Sequence, residues 1–78
     1  MELAFSRHAL RRMDERVIGF TEILQCLYDP DKIEKNNGKE VKFYKLISKD
    51  VLILVCSIKE NQCKIITVIK SSKIEKYL

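Results

Sequence analysis

The stretch from Val51 to Lys59 reads VLILVCSIK and is apolar at both odd and even positions over most of its length. In an extended strand, successive side chains point to opposite faces, so this strand presents apolar side chains on both faces. Such a strand belongs in the centre of a sheet, where both faces are covered by the rest of the chain or shielded by an oligomeric partner. The rest of the chain must therefore supply the neighbouring strands on its two sides.

A chain of 78 residues has room for one small domain, residues 1–78, and for no separate cofactor domain. The composition, 46% hydrophobic and 33% charged, is that of a compact soluble protein. The apolar run is far too short to cross a bilayer, and the first five residues lack the long apolar stretch of a signal peptide. We therefore expect a cytoplasmic protein with no membrane partner.

The first helix is predicted to begin at Ser6, because serine is a favoured N-cap residue and Phe5 can pack on Leu10 inside the helix. Gly19 is expected to end it. Four apolar residues fall on one arc of the helix and are expected to form its buried stripe: Ala9, Leu10, Met13 and Val17.

A second helix is predicted with Thr21 as its cap, and the Asp29-Pro30 step should end it, since the residue before proline is pushed out of helical geometry. Its buried face is expected to contain four residues: Ile23, Leu24, Leu27 and Tyr28.

After Pro30 the hydrophobic pattern becomes alternating. Asn37-Gly38 predicts a type I′ hairpin turn, and strands are predicted at 40–47, 51–59 and 63–70. Ile74, Tyr77 and Leu78 of the tail are expected to dock on the sheet. The elements together predict an α+β fold, with two N-terminal helices packed on a three- to four-stranded antiparallel sheet.

The charge distribution directs attention to the first helix. The net charge is +4, and all four arginines lie within the first sixteen residues. Arginine offers a planar fork that grips phosphate at two points, whereas lysine is a mobile point charge. The three cysteines are odd in number and lack the spacing of a zinc site, so we expect reduced core thiols, no metal and no cofactor.

The run from Phe5 to Ile18 contains the pattern H-A-x-x-R-M-x-E-R-x-I and resembles a family of small prokaryotic domains of unknown function. The segment Ile65-Ile66-Thr67-Val68 is similar to a late I-I-T-V strand of that family. The family in turn resembles the RelE and ParE toxins and the barnase-like and colicin-type RNases. This resemblance spans nearly the whole chain, and it implies a RelE-like domain, an RNA or ribosome target and a cognate antitoxin.

Metal-independent RNA cleavage needs a base for the 2′-hydroxyl proton, cations around the phosphate and an acid for the leaving oxygen. Histidine exchanges protons near neutral pH, and the chain has one, with two arginines following it at four-residue intervals. The predicted catalytic residues are His8, Arg12, Arg16 and Thr67. The predicted substrate-binding residues are Arg11, Glu15, Tyr44 and Lys70.

Each of these residues also has a purely structural interpretation. His8 can be a capping or packing residue, Arg12 and Arg16 can cover the edges of the core, and Thr67 is a good strand former. With a single histidine, a two-histidine acid and base pair is excluded, which favours ribosome-dependent cleavage. The alternatives to a toxin-like endoribonuclease are a non-catalytic RelE/ParE-fold binding module and a basic domain that binds nucleic acid by charge alone. A homodimer is also open.

Overall fold

The computed structural model describes residues 2–36 and 38–78. Over these ranges it has an α+β architecture, as predicted. The elements follow one another in this order: β1 (Glu2–Phe5), α1 (Arg7–Glu15), α2 (Phe20–Tyr28), β2 (Lys32–Lys35), β3 (Glu40–Ile47), β4 (Asp50–Lys59), β5 (Gln62–Ser71) and α3 (Ile74–Tyr77).

The sheet is mixed and has five strands in the order β1-β5-β4-β3-β2. The prediction of three to four antiparallel strands is therefore wrong, because β1 pairs with β5 in parallel and β2 adds an edge strand. Both of these strands have only four residues, too few to show a period in the sequence. Asn37 of the predicted type I′ turn lies outside the described residues, while Gly38 has a positive φ of 103°.

The doubly apolar strand β4 lies at the centre of the sheet, and its residues 51–56 are all buried. On one face, Leu52 and Leu54 pack in a core that includes Ala9 of α1 and Ile23 of α2. On the other face, Val51 and Ile53 pack with Tyr44 and with Tyr77 of α3. The expectation of a central strand covered on both sides is confirmed, and the predicted docking of Tyr77 is confirmed with it.

Helix α1 begins as predicted, with Ser6 as its N-cap, but it ends at Glu15 rather than at Gly19. Val17 adopts a left-handed φ of 53° and Ile18 turns back into the core. Leu10 and Val17 are 52% and 83% exposed, so the predicted buried stripe is reduced to Ala9 and Met13. The early turn at Val17 takes that residue off the helical arc on which the prediction relied.

Helix α2 begins one residue before Thr21, with Gly19 as its N-cap. The Glu22 carboxylate accepts a hydrogen bond of 2.9 Å from the Gly19 N–H, which makes the predicted Thr21 cap wrong. The helix ends before Asp29, as the Asp-Pro step predicted. Its buried face centres on Ile23 and Cys26, and Tyr28 is 82% exposed because it lies outside that arc.

All three cysteines are free and buried, as predicted. Burial raises the pKa of Cys26 to about 12, and its thiol donates to the carbonyl of Phe43 at 3.4 Å and to that of Leu52 at 3.7 Å. Burial also raises the pKa of Cys56 and of Cys63. These groups are thiols that fill space in the core.

Candidate anion-binding groove

One residue fastens the start of α1 to β5. The Ser6 N–H donates to the Ile65 carbonyl at 2.9 Å, and the Ser6 hydroxyl donates to the Ile66 carbonyl at 2.6 Å. The same hydroxyl accepts the Ala9 N–H at 3.0 Å, which caps the helix. Three bonds to one residue therefore fix where α1 leaves the sheet.

Strand β5 carries a bulge at this point. Ile65 pairs with Cys56 and Thr67 pairs with Val55, so Ile66 is the extra residue between the two pairs. The parallel partner β1 also stops at Ile65. Beyond the bulge, α1 rather than a further strand packs beside β5. A bulge next to a strand edge that has no partner strand is a common place for a protein to aim side chains at a ligand.

Arg12 of α1, Arg16 at the C-cap of that helix and residues 67–70 of β5 line a groove of about 290 Å³, here called the basic groove. Its cations are Arg12, Arg16 and Lys70, and no carboxylate is among the residues that line it. The two arginines lie one helical turn apart on the flank of α1 that faces β5. The arrangement suits a compact anion such as a phosphate group.

Glu15 forms an ion pair with one cation of this cluster. Its Oε1 lies 4.0 Å from Nη1 of Arg12, and the two side chains are 53% and 44% exposed. A long, half-exposed pair of this kind contributes little to stability, since water screens it. Arg12 thus remains available to another anion, and Glu15 is placed to orient it.

Thr67 and Lys70 occupy opposite faces of β5. Lys70 pairs with Leu52, on the face that carries the helices, whereas Thr67 pairs with Val55, on the other face. Both residues still line the basic groove, because it reaches the edge of β5. The predicted grouping of Thr67 and Lys70 with the two arginines is therefore observed.

His8 and Arg11 lie apart from this groove. Both are exposed on α1, and neither lines the groove. His8 is one helical turn from Arg12 towards the N-terminus, a rise of about 6 Å along the helix axis. The row His8, Arg12 and Arg16 is present as the spacing predicted, but only its two arginines contact the groove.

Tyr44 lies on the far side of the sheet. It is 5% exposed, packs under Tyr77, and donates a hydrogen bond of 2.9 Å from its hydroxyl to Glu34. Burial, with the Glu34 carboxylate, raises the pKa of Tyr44. Tyr44 was predicted to bind substrate, but the tail covers it on the far face of the sheet, and the structure does not bring it to the groove.

Within residues 2–36 and 38–78, no three His, Cys, Asp or Glu side chains converge as a metal site would require. No helix among the described residues is long and apolar enough to cross a membrane. The polar side chains that line the groove supply guanidinium, ammonium and hydroxyl groups.

Sequence reasoning missed the two features that shape the groove, the second hydrogen bond of Ser6 and the bulge at Ile66. A serine before a helix predicts a cap but gives no sign of a bond to a residue sixty positions away. A bulge of one residue within a run of β-branched residues leaves no mark in the sequence.

These features define a small α+β domain with a cationic groove. The groove lies between helix α1 and the part of strand β5 beyond the bulge, where β1 no longer pairs with it. Residues 5–70 match a family described as a domain of unknown function, DUF4258, and the chain belongs to this family. The match includes α1 and nearly all of β5 and leaves α3 outside. Searches of curated proteins and of solved structures give no match.

Proposed function

We propose that the protein binds RNA through the basic groove and acts as a toxin-like, metal-independent endoribonuclease on mRNA at the ribosome. The observation that carries this proposal is the convergence of Arg12, Arg16 and Lys70 on one groove without a lining carboxylate. The α1 motif resembles a family that in turn resembles RelE-like toxins, which supports the same activity, and in that setting a cognate antitoxin would mask the groove.

In this proposal the phosphate sits between the two arginines. The guanidinium forks hold its oxygens and stabilise the negative charge that develops during cleavage. Lys70 adds a third positive charge from the sheet, and Thr67 contributes a hydroxyl at the strand edge. The RNA strand then runs along the exposed side of α1, which also carries Arg11.

His8 is proposed as the proton-transfer group. It extends the row of Arg12 and Arg16 by one turn, so a nucleotide next to the bound phosphate would lie within its reach. Cleavage also needs a second proton-transfer group, and the chain has no other histidine. The ribosome, with its own RNA groups around the mRNA, is the proposed source of that second group.

A non-catalytic binding module is the second candidate. The position of His8 favours it, since the side chain is exposed and does not line the groove. In that case the groove holds the phosphate backbone without cutting it. The protein would then act by occupying RNA or a ribosomal surface.

The test combines RNA binding with the effect on growing cells. The purified intact chain is compared with Arg12→Ala and Arg11→Ala, which remove the same charge from the same helix inside and outside the groove. We expect Arg12→Ala to lose at least tenfold in affinity for a short single-stranded RNA, and Arg11→Ala to lose much less. Equal losses of affinity in the two variants would show that RNA binds by overall charge, and would overturn the proposal that it binds in the basic groove.

In cells, the intact chain and a folded His8→Ala variant are induced while protein synthesis is followed. Arrest by the intact chain and continued synthesis with His8→Ala, at unchanged RNA affinity, would support cleavage. RNA binding without arrest would instead assign the protein to the binding-module class. Mapping of mRNA ends in the arrested cells identifies the cut.

A further inference from the structure

Val17 occupies a backbone position that normally belongs to glycine. The Ile18 N–H bonds to the Met13 carbonyl at 2.8 Å and the Val17 N–H to the Asp14 carbonyl at 3.3 Å, the pattern of a Schellman motif. Val17 is the residue of this motif that must be left-handed, and its φ is 53°. A β-branched residue is strained in that conformation, so glycine or asparagine would be the stable choice.

Val17 is also 83% exposed, so packing among the described residues does little to offset the strain. Strain that persists at a surface position points to a role outside the folding of the monomer. Val17 is not isolated, since Leu10, seven residues earlier on α1, is 52% exposed.

Val17 and Leu10 belong to an open depression between α1 and α2, here called the interhelical depression. Its floor and walls include the apolar side chains of Met13 and Ile18, and Asp14 and Glu22 form an acidic rim. The apolar lining favours a partner with apolar side chains, and the acidic rim favours one with basic side chains, which a chain of net charge +4 has in excess.

Helix α1 itself carries apolar and charged side chains on the flank that borders the interhelical depression. Arg7, Leu10 and Asp14 are spaced three and four residues apart and share one face of the helix. Two such helices crossing antiparallel near Leu10 place each arginine opposite an aspartate of the other helix. The surface is therefore complementary to itself, as an isologous interface requires.

We propose that two copies of the chain form a homodimer through the interhelical depression. In this dimer the Leu10 side chains of the two copies pack on one another at the crossing, Arg7 pairs with Asp14 of the partner subunit, and Val17 packs beside the N-terminal end of the partner's helix α1. Leu10 and Arg12 lie on different flanks of α1, about 160° apart, so the dimer leaves the basic groove open and does not depend on the proposed RNA activity. The patch is small, and the association is expected to be concentration-dependent.

The first measurement is sedimentation velocity of the intact chain over a wide concentration range. A dimer that dissociates on dilution is expected, with a dissociation constant on the order of micromolar to tens of micromolar. A chain that stays monomeric to the highest soluble concentration overturns the proposal, and the occupant of the depression would then be a different protein.

Val17→Asn separates self-association from folding. Asparagine tolerates a positive φ, so we expect an equal or higher melting temperature together with at least tenfold weaker dimerisation. Glu60→Asn is the matched control, because Glu60 also has a positive φ, 49°, but lies in the turn between β4 and β5. Dimerisation of Val17→Asn as strong as that of the control would overturn the proposal.

A charge exchange tests the pairing itself. Arg7→Glu and Asp14→Arg are each expected to weaken the dimer at least tenfold, and the double variant is expected to recover it. Both substitutions place charge favourably towards the helix dipole, so α1 should fold in all three proteins. A double variant as weak as the single ones would exclude the antiparallel pairing.

Discussion

The hydroxyl of Ser6 donates a 2.6 Å hydrogen bond to the carbonyl of Ile66, sixty residues further along the chain. It also accepts the Ala9 N–H, so one oxygen both starts α1 and ties it to the bulge in β5. Arg12 and Arg16 are carried by the helix, and Thr67 and Lys70 by the strand. This contact therefore helps to set the position of α1 relative to β5, and with it the geometry of the basic groove.

Ser6→Ala is expected to lower the free energy of unfolding by about 2 kcal/mol, since it removes the helix cap and leaves the Ile66 carbonyl without its partner. Ser6→Thr keeps the hydroxyl and should cost much less. Urea unfolding of the two variants measures the difference. A loss below about 0.5 kcal/mol for Ser6→Ala would show that water replaces the contact.

Glu15→Gln is expected to strengthen RNA binding by a few fold. The substitution removes the carboxylate 4.0 Å from Arg12 and leaves the helix intact, because glutamine and glutamate form helices equally well. Fluorescence anisotropy with a short RNA measures the affinity. Glu75→Gln on α3 removes the same charge away from the groove, and an equal gain there would show a general charge effect.

Arg12→Lys is expected to keep the salt dependence of RNA binding and to reduce affinity, because lysine retains the charge but loses the two-point grip. Arg12→Ala should lower the slope of log affinity against log salt by about one. Titrations at several salt concentrations separate the two effects. An unchanged slope for Arg12→Ala would show that Arg12 does not contact a phosphate.

Stability is expected to fall at alkaline pH as the thiol of Cys26 ionises more readily in the unfolded chain. The pKa of Cys26 in the folded chain, about 12, is above the ordinary value of 9.0. The stabilisation of the folded chain that this thiol provides is therefore complete below pH 9, and it is lost as the pH rises from 9 to 12. Each pH unit in this window costs at most about 1.4 kcal/mol for this thiol. Denaturant unfolding should show a shallower decline in Cys26→Ala, and equal slopes would contradict the prediction.

Glu34→Gln is expected to lower the pKa of Tyr44 towards its ordinary value. The Glu34 carboxylate accepts a hydrogen bond of 2.9 Å from the Tyr44 hydroxyl, and its charge opposes ionisation of that hydroxyl, although burial is the larger cause of the raised pKa. Phenolate absorbance during an alkaline titration measures the change, with Tyr44→Phe used to assign the signal. An unmoved transition would mean that burial alone sets this pKa.

Local features of the fold were predictable because their causes are local. The Ser6 cap, the end of α2 at the Asp29-Pro30 step and the strand at 40–47 depend on residues close together in sequence. The predicted Gly19 stop and Thr21 cap failed because Val17 accepts a strained turn and Gly19 instead begins α2. Sequence preferences rank such options, and packing selects among them.

The candidate site was predictable in part for the same reason. The four-residue spacing of Arg12 and Arg16 places them on one flank of a helix wherever that helix packs. Tyr44 was misplaced because the alternation of β3 assigns it to a face but does not reveal that Tyr77 covers that face.

By itself the sequence determined an α+β chain with a doubly apolar central strand, a capped basic helix and reduced thiols. These follow from residue periodicity and chemistry, which act over a few residues. Only the tertiary structure decided that β1 pairs in parallel beside β5, that a bulge opens at Ile66, and that Lys70 joins Arg12 and Arg16 while Tyr44 is buried behind the sheet. Such relations join residues far apart in the chain, and the free energy that selects them is that of packing the whole core.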